Sequence, residues 1–113
     1  MKRVSTHVLD TMRGRPAAEV PINLARRERD AWLQISSAHT DQDGRCTQLL
    51  PDAADLAPGE YRITFDTAAY FKSQNIVGLY PVVSVDFIVR AGEDHFHIPL
   101  LLSPNGYSTY RGS

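Results

Sequence analysis

Three histidines and one arginine are the residues of this sequence whose types and spacing best fit a chemical role. His7 lies in the segment "STHVLD", His95 and His97 lie in "HFHIPLL", and Arg45 directly follows the turn "DQDG". Imidazole ionises near neutral pH, so each histidine is a candidate for acid–base catalysis or metal binding. Each one taken alone is also compatible with an ordinary solvated strand surface.

A zinc site is one interpretation of the histidines. His95 and His97 have the H-x-H spacing that zinc sites use, and His7 is available as a third ligand. Three histidine ligands with an open position would generate a zinc-bound hydroxide for hydrolysis. H-x-H also arises by chance, and neither a cysteine nor an acidic pair is placed to complete the ligand set. The sequence therefore favours a site without a metal.

Arg45 has two interpretations. Its guanidinium either pairs with Asp41 or Asp43 in the same turn, which the sequence favours, or projects into a site. The neighbouring Cys46 is not predicted to be a nucleophile, because no Cys–His–Asn arrangement can be read from the spacing.

The elements that must position these residues are strands, because apolar residues alternate with period two between clusters of Gly, Pro, Asn and Asp. In the first segment Val4 and Val8 share one face, and Ser5, His7 and Leu9 share the other. Such spacing is typical of a β-sandwich, which buries one face of each sheet. The histidine face is then left to water, a ligand or a partner subunit.

About seven or eight strands and one helix of about two turns are expected. The helix lies in "DTAAYFKSQN" with Asp66 as its N-cap, and "ARRER" at Ala25–Arg29 is expected to be a solvated turn or helix face. The short segment "RCTQLL" is expected to return from a hairpin whose turn is "DQDG". The other predicted strands are Val4–Thr11, Asp30–Thr40, "GEYRITFDT", "PVVSVDFIVR", "HFHIPLLLSP" and a last strand from Tyr107. In "HFHIPLLLSP" we expect Phe96, Ile98 and Leu100 to face inward and His95, His97 and Pro99 to face outward.

Composition excludes several classes of protein. A chain of 113 residues has room for one domain, 1–113. The net charge of −1, with basic residues mostly scattered, does not fit nucleic-acid binding. No apolar run approaches the ~20 residues that cross a membrane. The single cysteine excludes an internal disulfide, and the opening segment lacks the apolar stretch of a signal peptide, so the cytoplasm is the expected location.

Three motifs, in order along nearly the whole chain, carry a family resemblance. "HVLDTMRGRPA", "TDQDGR" and "HFHIPLLLSPNGYSTYRGS" resemble the signatures of the 5-hydroxyisourate hydrolases, the enzyme branch of the transthyretin-like family. The resemblance implies an all-β, transthyretin-like sandwich of two four-stranded sheets with one short helix. It also implies a homotetramer, a dimer of dimers, in which the face that carries the first and last strands lines a channel.

The resemblance further implies a reaction and its residues. The expected substrate is 5-hydroxyisourate, whose ring is opened by base-activated water without a cofactor. The implied catalytic residues are His7, Arg45 and His97, with His97 or His7 as the base. A non-catalytic protein that binds a small ligand in the same channel is the alternative. The implied substrate-binding residues are His7, Arg45, Tyr110, Arg111, Gly112 and Ser113.

Overall fold

Two β-sheets pack face to face in the computed structural model, which describes residues 2–51 and 54–113. The strands are β1 (Arg3–Asp10), β2 (Arg15–Pro16), β3 (Pro21–Glu28), β4 (Ala31–His39), β5 (Arg45–Cys46), β6 (Gly59–Phe65), β7 (Val83–Val89), β8 (His95–Ser103) and β9 (Gly106–Thr109), and the helix is α1 (Thr67–Ser73). In strand order the first sheet is β2-β1-β8-β9, with β5 also paired to β1, and the second is β4-β3-β6-β7. The predicted β-sandwich with one short helix is confirmed.

The first sheet has five strands where four were expected, because two of them share one position. Strand β8 takes one edge of β1, and β2 and β5 pair in succession along its other edge. β2 covers Leu9 and Asp10, and β5 covers Thr6 and His7. The sheet is therefore four strands wide, and β5 brings Arg45 directly opposite His7.

The period-two pattern correctly predicts which residues form the core. Val4 and Val8 of β1 are fully buried, as are Tyr61, Ile63 and Phe65 of β6. Burial of each such side chain contributes about 1.5–3 kcal/mol. Since alternate residues point to opposite faces, this inward set fixes the outward set that carries the histidines.

The interpretation of "ARRER" as a solvated turn or helix face is wrong for most of its length. Residues 25–28 form the end of β3, an inner strand of the second sheet. The pairing with β4 shifts register between Leu24 and Ala25, which interrupts the alternation that would mark a strand. Arg27 lies on the exposed surface, where it pairs with Glu60, so its charge stays hydrated. Only Arg29, with φ of 59°, belongs to the turn into β4.

One further expectation about the strands is wrong. Only Arg45–Cys46 of "RCTQLL" is a strand, and it pairs with β1 rather than returning along β4. The turn at 41–44 therefore carries the chain from one sheet to the other. Pro99 faces outward beside His7, as predicted, and it is buried because the C-terminal segment lies against it.

The helix forms where it was predicted. The Asp66 side chain caps it by accepting a hydrogen bond from the N–H of Ala69 at 3.0 Å. Its buried residues are Thr67, Tyr70 and Phe71. No helix in the described part of the chain has the length and apolar character to cross a bilayer.

Tyr70 ties this helix to the end of β1, and its loss is expected to destabilise the fold. Its hydroxyl donates to Oδ2 of the fully buried Asp10 at 2.7 Å, while the Arg13 N–H donates to Oδ1. Burial, followed by the bond to Asp10, raises the pKa of Tyr70 to about 12. Tyr70→Phe should lower the free energy of unfolding by about 1.5–3 kcal/mol, because a buried carboxylate loses a donor. Urea denaturation would measure this loss, and Tyr107→Phe, at an exposed tyrosine, should change it little.

Candidate active site

The predicted histidines lie on the outer face of the parallel β1–β8 pair. Its register sets Ser5 beside His97 and His7 beside Pro99. Because paired residues of parallel strands project to the same side, Ser5 and His97 meet, and Ser5 Oγ lies 2.8 Å from Nδ1 of His97. The expectation that His7 and His97 share a face opposite the core is confirmed.

The turn at 41–44 is fastened to β1 and delivers Arg45 to this face. Gly44 has φ of 74°, and a Cβ there would collide with the carbonyl oxygen of Val8. The Val8 N–H donates to the Gly44 carbonyl at 2.7 Å. His7 completes the fastening, since its Nε2 lies 2.8 Å from the carbonyl oxygen of Asp43. A carbonyl oxygen only accepts, so Nε2 of His7 carries the proton.

Arg45 does not make the predicted ion pair within its turn. One oxygen of Asp41 accepts hydrogen bonds from the backbone N–H groups of Asp43 and Arg45, each at 2.9 Å. This carboxylate therefore stabilises the turn instead of neutralising the guanidinium. Within residues 2–51 and 54–113 the Arg45 side chain forms no ion pair.

The C-terminal segment extends the sheet past the end of β9. Leu100 pairs with Thr109, and in the same register His97 pairs with Gly112, whose N–H donates to the His97 carbonyl at 2.7 Å. Pro99 interrupts the ladder between these points, because proline has no N–H to donate. The chain then resumes its pairing beside His97.

These elements surround a cleft of about 220 Å³, which is small even for a ligand pocket. It brings together three of the predicted site residues, Arg45, His97 and Ser113. His7 adjoins it as the β1 partner of Arg45. The full lining is Arg3, Ser5, Thr6, Arg45, Thr47, His95, His97 and Ser113.

The ionisation of His97 is perturbed by its surroundings. Burial lowers its pKa, and the charges of Arg45, His7 and His95 lower it further. The imidazole is therefore neutral at neutral pH and available to accept a proton. A site of this kind, polar, basic and lined by fixed donors, suits a small electron-rich ligand rather than an apolar one.

The overall likeness to known proteins agrees with this geometry. Residues 4–112 match the HIUase/Transthyretin family. The chain belongs to this family. The 5-hydroxyisourate hydrolase of Salmonella dublin is 44% identical over 110 residues, 97% of this chain and 80% of the relative.

Two solved structures define the fold of this HIUase/Transthyretin member. Klebsiella pneumoniae 5-hydroxyisourate hydrolase has a TM-score of 0.86 at 37% identity, with 100% of both chains covered. Sea bream transthyretin in complex with thyroxine has a TM-score of 0.89 at 32% identity, covering 96% of this chain and 93% of the other. The predicted transthyretin-like sandwich is confirmed.

Three of the implied substrate-binding residues at the C-terminal end, Tyr110, Arg111 and Gly112, lie outside the cleft lining. Tyr110 is 57% exposed. The guanidinium of Arg111 is bound to Glu93 at 2.9 Å and lies over the ring of Phe96, 4.4 Å from its centroid. Strand alternation explains this, because Arg111 follows the inward face while Gly112 follows the outward one. A direct substrate contact for Arg111 stays a prediction.

Sequence reasoning missed the residues that complete the cleft. Arg3 and Ser5 share the period-two face of His7, and Thr47 follows Arg45 by two, so alternation was the signal that could have identified them. Their meeting with β8 depends on the parallel register, which no local pattern encodes. The zinc interpretation would need three ligands around one ion, and in the described ranges no group of three His, Cys, Asp or Glu side chains is placed to hold a metal.

Proposed function

We propose that this chain is a 5-hydroxyisourate hydrolase that adds water to the C6 carbonyl of its substrate and opens the six-membered ring. The C6–N bond breaks, the leaving nitrogen takes up the proton that the base removed from water, C6 becomes a carboxylate, and the product is 2-oxo-4-hydroxy-4-carboxy-5-ureidoimidazoline. The observation that carries the proposal is the meeting of His97 and Arg45 in one small polar cleft. Relatives matched over nearly all of this chain bear the name of this enzyme, which favours a hydrolase over a carrier.

His97 is the general base of the proposed mechanism. Its lowered pKa keeps the imidazole neutral, so it can take a proton from water as the oxygen attacks C6. Ser5 engages Nδ1, which leaves Nε2 for this proton. His7 is the close alternative, but its Nε2 already donates to the turn that carries Arg45, so a positioning role suits it better.

Arg45 stabilises the negative charge that develops on the C6 oxygen. A guanidinium is permanently charged and presents several donors, and fixed donors of this kind contribute about 10²–10³-fold in comparable sites. Its charge also helps to keep His97 unprotonated. One residue thus supports both the oxyanion and the neutral state of the base.

The remaining substrate contacts are assigned to the C-terminal segment. Ser113 lines the cleft, and Gly112 allows the backbone to approach closely. Tyr110 would donate its hydroxyl to the substrate or stack on the ring. Arg111 would reach the substrate only after leaving Glu93.

The active form is proposed to be a homotetramer, a dimer of dimers built from single-domain chains of residues 1–113 in the cytoplasm. Strands β9 and β7 lie at the edges of the two sheets and offer backbone groups for pairing. Tyr107 and Tyr110 expose 44% and 57% of their surface on the side of β9. Assembly with closed symmetry would make the outer face of β1 and β8 the wall of a channel and limit the access of bulk solvent to the cleft.

A non-catalytic protein that binds a small ligand in the same cleft is the second candidate. Sea bream transthyretin, whose structure holds thyroxine, shares this fold, so the fold alone does not separate the two. A binding protein needs neither a neutral base nor, beside it, a guanidinium that forms no ion pair with any described residue. The presence of both favours the enzyme.

Hydrolysis can be tested by producing 5-hydroxyisourate in situ from urate and following its ultraviolet band. The protein should accelerate the decay in proportion to its concentration, and boiled protein should not. A decay equal to the blank, with a purine analogue still protecting the protein against thermal unfolding, would support the binding protein instead.

A further inference from the structure

The imidazole of His97 is held from two sides by residues that no sequence motif assigned to this task. Ser5 contacts Nδ1 on the β1 side, and Gly112 lies against the ring on the C-terminal side. We propose that Ser5 and Gly112 are positioning residues that hold this imidazole with the lone pair of Nε2 toward the cleft. The inference rests on the proposed function, because it concerns the geometry of its base.

Ser5 is the hydrogen-bond partner of Nδ1. The residue is only 7% exposed, and its Oγ lies 2.8 Å from Nδ1 of His97. In the proposed arrangement Nδ1–H donates to this hydroxyl, which places the lone pair of the neutral ring on Nε2. Among the described residues Nε2 has no hydrogen-bond partner, so it is the nitrogen available to water. A base in the cleft requires this tautomer.

Gly112 sets the position of the ring. A Cβ at this residue would lie 2.5 Å from Cδ2 of His97 and 3.4 Å from Cγ of Pro99, so either the ring or the strand would have to move. The backbone hydrogen bond from Gly112 to the His97 carbonyl keeps the two segments in register. Glycine is therefore required here for close approach, and the segment packs on the base as well as facing the substrate.

Ser5→Ala tests the hydroxyl. Loss of one hydrogen bond to the ring should lower kcat about 3–10-fold with KM nearly unchanged. The ¹⁵N resonances of the His97 ring should shift from the Nδ1–H form toward a mixture of tautomers. Ser5→Thr, which keeps the hydroxyl, should restore both, while Ser37→Ala, which removes a serine hydroxyl bound to Asn23 on the other sheet, should change neither. Wild-type kcat and ¹⁵N spectrum in Ser5→Ala, or no rescue by threonine, would overturn the assignment.

Gly112→Ala tests the packing. Displacement of the base by about 1 Å should lower kcat by up to about 100-fold. The matched control is Gly106→Ala in the same strand pair, where a Cβ meets only Ser103 Oγ at 3.8 Å, so activity should be kept. Wild-type kcat in a folded Gly112→Ala protein would contradict a positioning role. The NMR measurement does not depend on turnover. It therefore tests the positioning of the His97 ring even if the protein does not hydrolyse 5-hydroxyisourate.

Discussion

His97→Gln is expected to lower kcat by about 10²–10⁴-fold, the range typical of a lost general base. Glutamine keeps a polar side chain at the same β8 position but cannot take a proton from water. In the wild-type protein kcat/KM should fall as the pH drops through the pKa of His97, because only the neutral ring acts as a base. That pKa lies below the ordinary value of about 6.5, since burial and then Arg45 disfavour the charged ring. The decrease of kcat/KM at low pH, the acidic limb of the pH profile, should be absent in the variant.

Two other histidines make the result specific. His7→Gln replaces the imidazole by an amide that can still donate to the Asp43 carbonyl, so it should keep the acidic limb of His97. His39→Gln, at an exposed histidine at the end of β4, should leave turnover unchanged. If His7→Gln removed the acidic limb and His97→Gln kept it, the base would be His7.

Period-two alternation was enough to predict the inward and outward faces of the site strands. Val4 and Val8 are buried, and His7 and His97 lie on the opposite face, because side chains alternate along any strand whatever its partners. The helix could be predicted equally well, since a capping aspartate, Asp66, precedes a short run of helix formers. These features depend on neighbours along the chain.

Features that depend on distant partners could not be predicted in this way. The turn before Arg45 has the residues of a hairpin, yet it crosses between the sheets, because β5 finds its partner in β1. Strand β3 was not predicted, because the bulge beside Leu24 interrupts its alternation and its last residues are basic. Ser5 meets His97 only because β1 and β8, 92 residues apart, pair in parallel with no offset between these two positions. The candidate site therefore depends on how β1 is aligned with β8 and with β5.

At these positions the backbone fold and the chemical function are determined by different features of the chain. Sea bream transthyretin and Klebsiella pneumoniae 5-hydroxyisourate hydrolase both resemble the chain closely in backbone. The sandwich therefore supplies two adjacent parallel strands and a crossing turn, and the side chains placed there decide what the face does. In this chain those side chains are a neutral imidazole, a guanidinium without an acidic partner among the described residues, and a serine that orients the imidazole.

Arg45→Ala is expected to lower kcat by about 10²–10³-fold, as for the loss of a fixed oxyanion donor. It should also move the acidic limb of kcat/KM to higher pH, since removing a positive charge beside His97 raises the pKa of the ring. Stability should change little, because the turn is held by Asp41 through backbone N–H groups that alanine retains.

The two effects of Arg45 can be separated by keeping its charge. Arg45→Lys preserves the positive charge and should leave the acidic limb near its wild-type position, while still losing much of kcat because an ammonium lacks the planar fork of donors. Arg15→Ala removes an exposed arginine from β2, the other two-residue strand on the same edge of β1, and should change neither quantity. Full turnover in Arg45→Ala would contradict the oxyanion role. If Arg45→Ala lost turnover but kept the acidic limb at its wild-type pH, the oxyanion role would stand, and the assignment of Arg45 as a residue that lowers the pKa of His97 would be wrong.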